Sequence, residues 1–256
     1  MRIFILSFNI SPLAKKPAVS TMLGVHRGGS PENTLLGIAR SIAQGAEIIE
    51  IDIRLTKDKQ LVLLHDATVD RTTPAYGPCW EFLAEELLAL EACEQSVEFK
   101  GLGVSVPLLS QVMDRFANCS VEWLFDFKEK EAAKATKLLL ENYPQIKYMV
   151  GSAFDDVALQ LHYDFPDTLV MGGVGETFRL VAAWYSGLFA LAPDPLHDIV
   201  GFVLVKETRG FWSRSLVQAL QQRGARVLVC GELVKGKEAT RARKWGVDIV
   251  LVENIS

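Results

Sequence analysis

Residues 22–56, MLGVHRGGSPENTLLGIARSIAQGAEIIEIDIRLT, contain a complete strand–helix–strand unit. The short apolar run at 22–28 is typical of a buried strand, and residues 47–56 alternate between apolar and polar with the period of two that strands require. Between them, residues 31–46 repeat apolar side chains at helical spacing. Pro31 suits the first turn of this predicted helix, and Glu32 favours its positive N-terminal end. The unit predicts parallel strands with a helix outside them.

The same alternation continues along the chain. Further strands are predicted at 60–66, 121–128, 146–154, 167–175, 199–206, 225–233 and 247–254, and further helices at 107–117, 129–143, 214–225 and 238–246. Repeated β-then-α units in 256 residues predict a (β/α)8 TIM barrel, which typically needs about 250 residues. A doubly wound α/β sheet is the alternative, but no G-x-G-x-x-G follows the first strand.

Three features modify this barrel. Residues 1–22 form a predicted N-terminal lead-in, and residues 23–256 form one barrel domain. Residues 70–106 are irregular and predict a small insertion above the barrel. Because no clear helical segment follows the strand predicted at 247–254, the final helix of the outer layer is predicted to be incomplete.

Composition narrows the class of function. The chain is 49% hydrophobic and 23% charged, so it can bury a sizeable core. Its net charge of -4 gives no indication of nucleic-acid binding, which usually needs a basic face. The four cysteines are scattered with no C-x-x-C pair, which indicates packed free thiols rather than a zinc or redox motif.

Ionisable side chains interrupt the apolar strands near their ends, where a barrel of this type carries its catalytic groups. Glu50 and Asp52 are separated by one residue and therefore point to the same side of their strand. Such charges are costly to bury unless they are paired, hydrogen-bonded or bound to metal. The complete set is His26, Arg27, Glu50, Asp52, His65, Asp126 and Lys128.

These residue types together indicate one chemistry. Three carboxylates from two strands make an oxygen-rich site suited to Mg²⁺ or Ca²⁺. An arginine and a lysine would hold a phosphate, and two histidines can divide the roles of general base and general acid. Singly, each residue fits a structural role: a strand-end histidine can be hydrogen-bonded, and Asp-x-Lys can be an ion pair of little energetic value. Together they predict metal-assisted cleavage of a phosphodiester.

The segments HRGGSPENT (26–34), EIDIRLTKDKQLVLLHDATVDRTT (50–73) and DFK (126–128) carry a family resemblance. The chain resembles the glycerophosphodiester phosphodiesterases, which are metal-dependent (β/α) barrels. The likeness extends over roughly residues 23–254. Within the family it is greatest to the membrane-associated metazoan branch, which also uses Asp-x-Lys and is associated with glycerophosphoinositol and lysophospholipid-type diesters.

The resemblance implies a role for each site residue. It assigns catalysis to His26 and His65, metal binding to Glu50, Asp52 and Asp126, and phosphate contact to Arg27 and Lys128. The implied reaction is Mg²⁺- or Ca²⁺-dependent hydrolysis of glycerophosphodiesters or lysophospholipids. It would release an alcohol and either glycerol 3-phosphate or lysophosphatidate.

The chain departs from the family pattern in three places. Only Gly29 and Ser30 separate HRG from PENT, which is a shorter gap than usual. Cys230 stands where the family commonly has an aromatic residue in the pocket. LVENIS (251–256) replaces the usual ending T-D-x-P.

Two other functions stay open at this point. A barrel with little or no turnover could act as a membrane-associated binding module, as the altered pocket strand suggests. A sphingomyelinase D-like phospholipase is the other alternative, but those enzymes lack the PENT continuation.

Membrane contact is a separate prediction. Residues 180–196 form the most apolar later segment, which is shorter than the ~20 residues that span a bilayer. Residues 178–191, with Trp184, Tyr185 and Phe189, could contact a membrane surface or form a buried barrel helix. The chain is accordingly expected to be membrane-associated, with a cytoplasmic location as the alternative.

Overall fold

The computed structural model describes residues 20–93 and 96–255, which form nine strands and eight α-helices. The strands are β1 Met22–Val25, β2 Ile48–Leu55, β3 Leu61–Leu63, β4 Glu122–Phe127, β5 Lys147–Gly151, β6 Val170–Met171, β7 Ile199–Val203, β8 Arg226–Cys230 and β9 Ile249–Val252. The helices are α1 Leu35–Ala43, α2 Ala84–Leu88, α3 Leu109–Phe116, α4 Lys130–Leu140, α5 Asp155–Asp164, α6 Val174–Tyr185, α7 Arg214–Gln222 and α8 Gly236–Trp245.

Eight of the strands run parallel and close into a barrel. The order around the barrel is β1, β2, β4, β5, β6, β7, β8, β9 and back to β1. Closure depends on β1, which pairs with β2 on one side and with β9 on the other. The predicted TIM barrel is therefore confirmed, and the doubly wound alternative, an open sheet, does not apply.

Side-chain alternation on the strands separates the barrel interior from the outer layer. On β2, Ile49, Ile51 and Ile53 pack outward into the layer shared with the helices, whereas Ile48 belongs to the cluster inside the barrel. Glu50 and Asp52 share the inward parity of Ile48. The inner cluster consists of Ile48, Leu124, Met149, Ile199, Leu228, Cys230, Ile249 and Leu251. The barrel interior is thus a packed apolar core with carboxylates towards its carboxyl end.

The predicted strand at 60–66 is not a barrel strand. Only Leu61–Leu63 of this segment form a strand, β3, and it runs antiparallel to β2. The hydroxyl of Thr56 accepts the Gln60 amide (2.9 Å) and donates to the carboxylate of Asp58 (2.6 Å), which stabilises a tight reversal after β2. His65 is therefore carried back to the rim of the barrel by a hairpin and does not end a strand of the barrel.

Helix α1 begins at Leu35, so the prediction that Pro31 occupies its first turn is wrong. Thr34 is the N-cap, and its hydroxyl accepts the amide of Gly37 at 3.0 Å. A capping hydroxyl of this kind satisfies a free amide of the first turn. Residues 31–33 consequently stay in the loop, and Glu32 faces arginine side chains rather than a helix end.

The predicted insertion at 70–106 is present and packs beside the β2–β3 hairpin. It contains α2 and a 3-10 turn at Cys79–Glu81. Val69, Cys79 and Leu87 bury themselves with Val62 of β3 in a cluster of their own. The four cysteines of the chain are free, and Cys79 is one of three that are buried.

The two ends of the chain were predicted to hold a lead-in and an incomplete final helix. The lead-in at 1–22 lies outside the described residues except for its last three, of which Met22 already pairs in β1. After β9 the structure describes residues 253–255 only, and Ile255 packs against both large core clusters. Among the described helices, none has the length and apolar character needed to cross a bilayer.

Candidate active site

A cavity of about 160 Å³ opens at the carboxyl ends of the barrel strands. Six of the seven predicted site residues line it: His26, Arg27, Glu50, His65, Asp126 and Lys128. The seventh, Asp52, is 1% exposed and contacts the Lys128 ammonium at 2.6 Å. The structure therefore brings together all the residues that the sequence singled out.

The three carboxylates come from neighbouring strands. Parallel pairing of β2 with β4 places Asp52 directly opposite Asp126, and Glu50 lies two residues earlier on β2. One oxygen from each of the three lies within 4.8 Å of the others. Within the described residues, the buried Oδ1 of Asp126 has no hydrogen-bond partner. This oxygen-only donor set with an unsatisfied buried oxygen fits a hard divalent cation such as Mg²⁺ or Ca²⁺.

Asp52 is held ionised by its neighbours. The Lys128 ammonium lies between Asp52 and Asp126, at 2.6 Å and 2.7 Å. The Asn33 amide donates to Asp52 Oδ2 at 2.7 Å. Burial opposes ionisation of Asp52, but the positive charge of Lys128 and these hydrogen bonds outweigh it and lower its pKa to about 2.

Glu50 behaves in the opposite way. It is buried, and its side chain receives one backbone hydrogen bond, from the amide of Arg27 at 2.6 Å. Burial and the nearby negative charge of Asp52 raise the pKa of Glu50 to about 8. Burial also raises the pKa of Asp126. Two of the three carboxyls thus resist ionisation unless a further positive charge enters the site.

His26 lies between two glutamates. Its Nδ1 is 3.0 Å from Glu253 Oε1, and its Nε2 is 4.0 Å from Glu50 Oε2. Burial opposes protonation of His26, but the hydrogen bond to Glu253 and the negative charge of Glu50 outweigh it and raise its pKa. The imidazole is therefore anchored on one side and directed towards the carboxylates on the other.

His65 is fixed by its own set of partners. Its Nδ1 lies 2.7 Å from Asp66 Oδ1, and the Arg54 guanidinium donates to the His65 carbonyl at 3.0 Å and 3.2 Å. Arg71 holds Asp66 (2.5 Å) and binds both carboxylate oxygens of Glu32.

Glu32 also contacts Arg27, at 3.3 Å. A chain of ion pairs thus connects the two sides of the cavity mouth.

Six of these residues were not among the predicted site residues: Glu32, Asn33, Arg54, Asp66, Arg71 and Glu253. Arg54 could have been found, because it lies at the same spacing after Asp52 as Asp52 after Glu50. Asn33 and Arg71 lie within the motif segments 26–34 and 50–73, but the family resemblance implied no role for either. Glu253 belongs to LVENIS (251–256), which the sequence marks only as a departure from the usual C-terminal motif.

The short loop that follows His26 depends on two glycines. Gly28 and Gly29 have φ values of 71° and 86°, a region that favours glycine. A Cβ on Gly29 would lie 2.2 Å from the hydroxyl oxygen of Ser41 on α1. The loop is therefore pressed against α1, which leaves no room for side chains at these positions.

The wall opposite the charged residues is largely apolar. It contains Met171, Val174, Val203, Cys230 and Leu251. Cys230 thus lines the cavity at the place where the family commonly has an aromatic residue. The hydroxyl of Thr177 on this wall donates to the carbonyl of Gly201 at 3.1 Å. The cavity therefore has one ionic side and one apolar side.

Parts of this sequence are similar to known proteins. Residues 26–163 match the profile of the glycerophosphoryl diester phosphodiesterase family. A glycerophosphodiester phosphodiesterase of Caldanaerobacter subterraneus is 41% identical over 99 residues, which are 38% of this chain and 40% of that protein. Human glycerophosphodiester phosphodiesterase 1 is 34% identical over 127 residues, 47% of this chain and 38% of the human protein. These alignments span about two fifths of each relative.

Solved structures share the fold over nearly the whole chain. The glycerophosphoryl diester phosphodiesterase domain of a Mycobacterium tuberculosis protein has a TM-score of 0.78 at 21% identity, covering 92% of this chain and 97% of that one. An Oleispira antarctica phosphodiesterase in complex with sn-glycerol-3-phosphate has a TM-score of 0.75 at 21% identity, covering 91% and 92%. With its family profile matched over more than half its length, this chain belongs to the glycerophosphoryl diester phosphodiesterase family.

Proposed function

We propose that this chain is a metal-dependent phosphodiesterase that hydrolyses glycerophosphodiesters. The observation that carries the proposal is that three clustered carboxylates, of which Glu50 and Asp52 are fully buried, lie with two anchored histidines at one cavity. Family membership supports the reaction class, and the solved relative that holds sn-glycerol-3-phosphate supports a glycerol phosphate product.

Each group has a place in this reaction. Glu50, Asp52 and Asp126 would hold a divalent cation, which when bound polarises phosphoryl oxygens and offsets negative charge in the transition state. Arg27 faces the cavity and would bind the phosphate, as would Lys128. One histidine accepts the proton of the attacking hydroxyl or water, and the other protonates the leaving alcohol.

The apolar wall favours a lipid-type substrate within this class. A polyhydroxylated leaving group such as inositol needs side chains with free donors and acceptors. The hydroxyl of Thr177 is already engaged, and so is that of Ser152, which donates to the carbonyl of Phe127 at 2.7 Å. An acyl-bearing lysophospholipid would instead place apolar surface against Met171 and Val203.

The decisive experiment compares lysophosphatidylcholine and glycerophosphoinositol as substrates, each with Mg²⁺, with Ca²⁺ and with EDTA. We expect turnover that EDTA abolishes and a preference for the lysophospholipid. His26→Ala should lose activity, while His162→Ala, which removes an exposed histidine of α5, should retain it. No metal-dependent release of glycerol 3-phosphate or lysophosphatidate from either substrate would refute the proposal. Metal-dependent binding without turnover would instead favour the binding-module alternative.

We also propose that residues 178–191 contact a membrane surface, which would make the chain membrane-associated. Phe178, Tyr185 and Leu191 are exposed there, whereas Trp184 packs edge-on against Phe189 at 5.2 Å between ring centroids. Large apolar side chains on the outer surface can insert into the interfacial region of a bilayer.

Co-sedimentation with phospholipid vesicles tests this contact. Phe178→Glu should reduce vesicle binding, whereas Leu138→Glu, at an exposed leucine on α4, should not. Equal binding by both variants would contradict the proposed surface.

A further inference from the structure

We propose that Glu253 is a positioning residue that fixes the tautomer and orientation of His26. This inference rests on the proposed function, in which His26 transfers a proton. It concerns a residue that follows the last strand, far from His26 in sequence.

Strand register brings the two residues together. β1 and β9 are neighbours in the closed barrel, and Val25 pairs with Val252 at the end of their ladder. His26 directly follows β1 and Glu253 directly follows β9. Their side chains meet at 3.0 Å between His26 Nδ1 and Glu253 Oε1. Barrel closure thus places a carboxylate beside the histidine.

The chemistry of the pair determines which nitrogen stays free. An ionised carboxylate can only accept hydrogen bonds, so Nδ1 of His26 must carry the hydrogen. Nε2 then has a lone pair in the neutral ring and lies 4.0 Å from Glu50 at the carboxylate cluster. A fixed tautomer of this kind keeps the ring ready to take up a proton on the substrate side. His65 is oriented by Asp66 in the same way, through its own Nδ1.

A purely structural role for Glu253 fits the surroundings less well. β1 and β9 are already joined over four paired positions, from Met22↔Ile249 to Val25↔Val252. The Glu253 side chain is about half exposed, so its removal leaves no buried hole. Loss of the Glu253 carboxylate should therefore alter the tautomer and orientation of the His26 ring and have little effect on the stability of the barrel.

The experiment uses the full chain and two independent readouts. Long-range ¹H–¹⁵N spectra of the histidine rings, assigned for His26 with the His26→Ala variant, report which nitrogen is protonated. Steady-state kinetics on the preferred diester report kcat and KM. The variants are Glu253→Ala, Glu253→Gln and, as a control, Glu232→Ala, which removes an exposed carboxylate from the loop after β8.

We expect the wild type and the control to show His26 protonated at Nδ1, and Glu253→Ala to lose this preference. In Glu253→Ala, kcat should fall about 10-fold, a part of what general acid–base catalysis supplies, while KM changes less than about 2-fold. Glu253→Gln should recover part of kcat because its amide oxygen can still accept the Nδ1 hydrogen.

An unchanged His26 tautomer in Glu253→Ala overturns the inference, whatever the activity. So does an equal loss of kcat in Glu232→Ala, or an effect confined to KM. If the wild type hydrolyses no diester, the proposed function fails, and the ring spectra alone still decide whether Glu253 sets the tautomer.

Discussion

Glu50 and Asp52 show how strongly position determines the ionisation of two carboxyls on one strand. Both are buried and point into the same site, but Lys128 and Asn33 hydrogen-bond to Asp52 and not to Glu50. The pKa of Asp52 is lowered to about 2, while that of Glu50 is raised to about 8. Without a bound cation, the Glu50 carboxyl therefore loses its proton at a much higher pH than the Asp52 carboxyl.

The raised pKa of Glu50 predicts how stability depends on pH. Unfolded Glu50 ionises near its ordinary value of 4.5, whereas folded Glu50 ionises near pH 8. Its contribution to stability is present at pH values below 4.5 and is lost as pH rises through the folded value. With EDTA present, the wild-type Tm should fall more steeply than that of Glu50→Gln between about pH 5 and about pH 8.

Thermal denaturation at several pH values measures this difference. Glu141→Gln, at an exposed position after α4, serves as the control and should follow the wild type. Parallel Tm curves for wild type and Glu50→Gln would contradict a raised pKa for the buried Glu50 carboxyl.

Arg71 predicts a second effect at the residue scale. It binds Asp66 and Glu32, so it supports His65 on one side of the mouth and Arg27 on the other. Arg71→Met should lower kcat/KM about 10-fold, in the range typical of residues that orient active-site groups. Arg40 of α1 forms a comparable exposed ion pair with Glu98. Arg40→Met breaks this pair and should have little effect on kcat/KM. Similar losses in both variants would show that Arg71 has no specific role.

At the scale of the element, α1 and the loop before it fit together through glycine. A Cβ on Gly37 of α1 would lie 2.2 Å from the carbonyl oxygen of Pro31, so the helix can approach the loop only without a side chain there. In an isolated helix, alanine would be favoured over glycine by about 1 kcal/mol. The close approach should reverse that preference.

Gly37→Ala is therefore expected to destabilise the protein by about 1–3 kcal/mol, as overpacking does, and to lower activity because the loop carries Arg27. Urea denaturation and diester hydrolysis measure the two effects. Gly210→Ala, where a Cβ would meet nothing within 4 Å, is the matched control. A gain in stability for Gly37→Ala would show that the helix moves away from the loop without cost.

At the scale of the whole molecule, the carboxylates of β2 and β4 couple metal binding to the folded barrel. In the folded barrel, the pairing of β2 with β4 brings these oxygens within 4.8 Å of one another. A cation at about 100 times its Kd would stabilise the folded state by about 2.7 kcal/mol. For a domain of this size we expect Tm to rise by roughly 5–10 °C on addition of Mg²⁺ or Ca²⁺.

Differential scanning fluorimetry with and without EDTA measures this shift. Asp126→Asn should abolish it, whereas Asp156→Asn, at an exposed ion pair with Lys130, should leave it intact. A shift of equal size in Asp126→Asn would place the cation elsewhere.

The sequence by itself determined the barrel and most of its site. Along β2 and β4, successive side chains alternate between the two faces of the barrel wall, and this pattern is visible in the local sequence. It shows that Glu50, Asp52 and Asp126 all point away from the outer apolar layer and into the barrel. The predicted start of α1 at Pro31 is wrong because the Thr34 side chain caps the helix through a hydrogen bond, so the helix begins after Thr34. The path of His65 was missed because the reversal after β2 depends on side-chain bonds within the turn.

Only the tertiary structure decided which groups hold the catalytic candidates in place. His26 meets Glu253 because the first and last strands pair in one particular register, and no local pattern encodes that register. Arg71 binds Glu32, 39 residues away in sequence, and no local pattern encodes that contact either. Strand periodicity is set by neighbouring residues, whereas closure of the barrel is set by the packing of all eight strands.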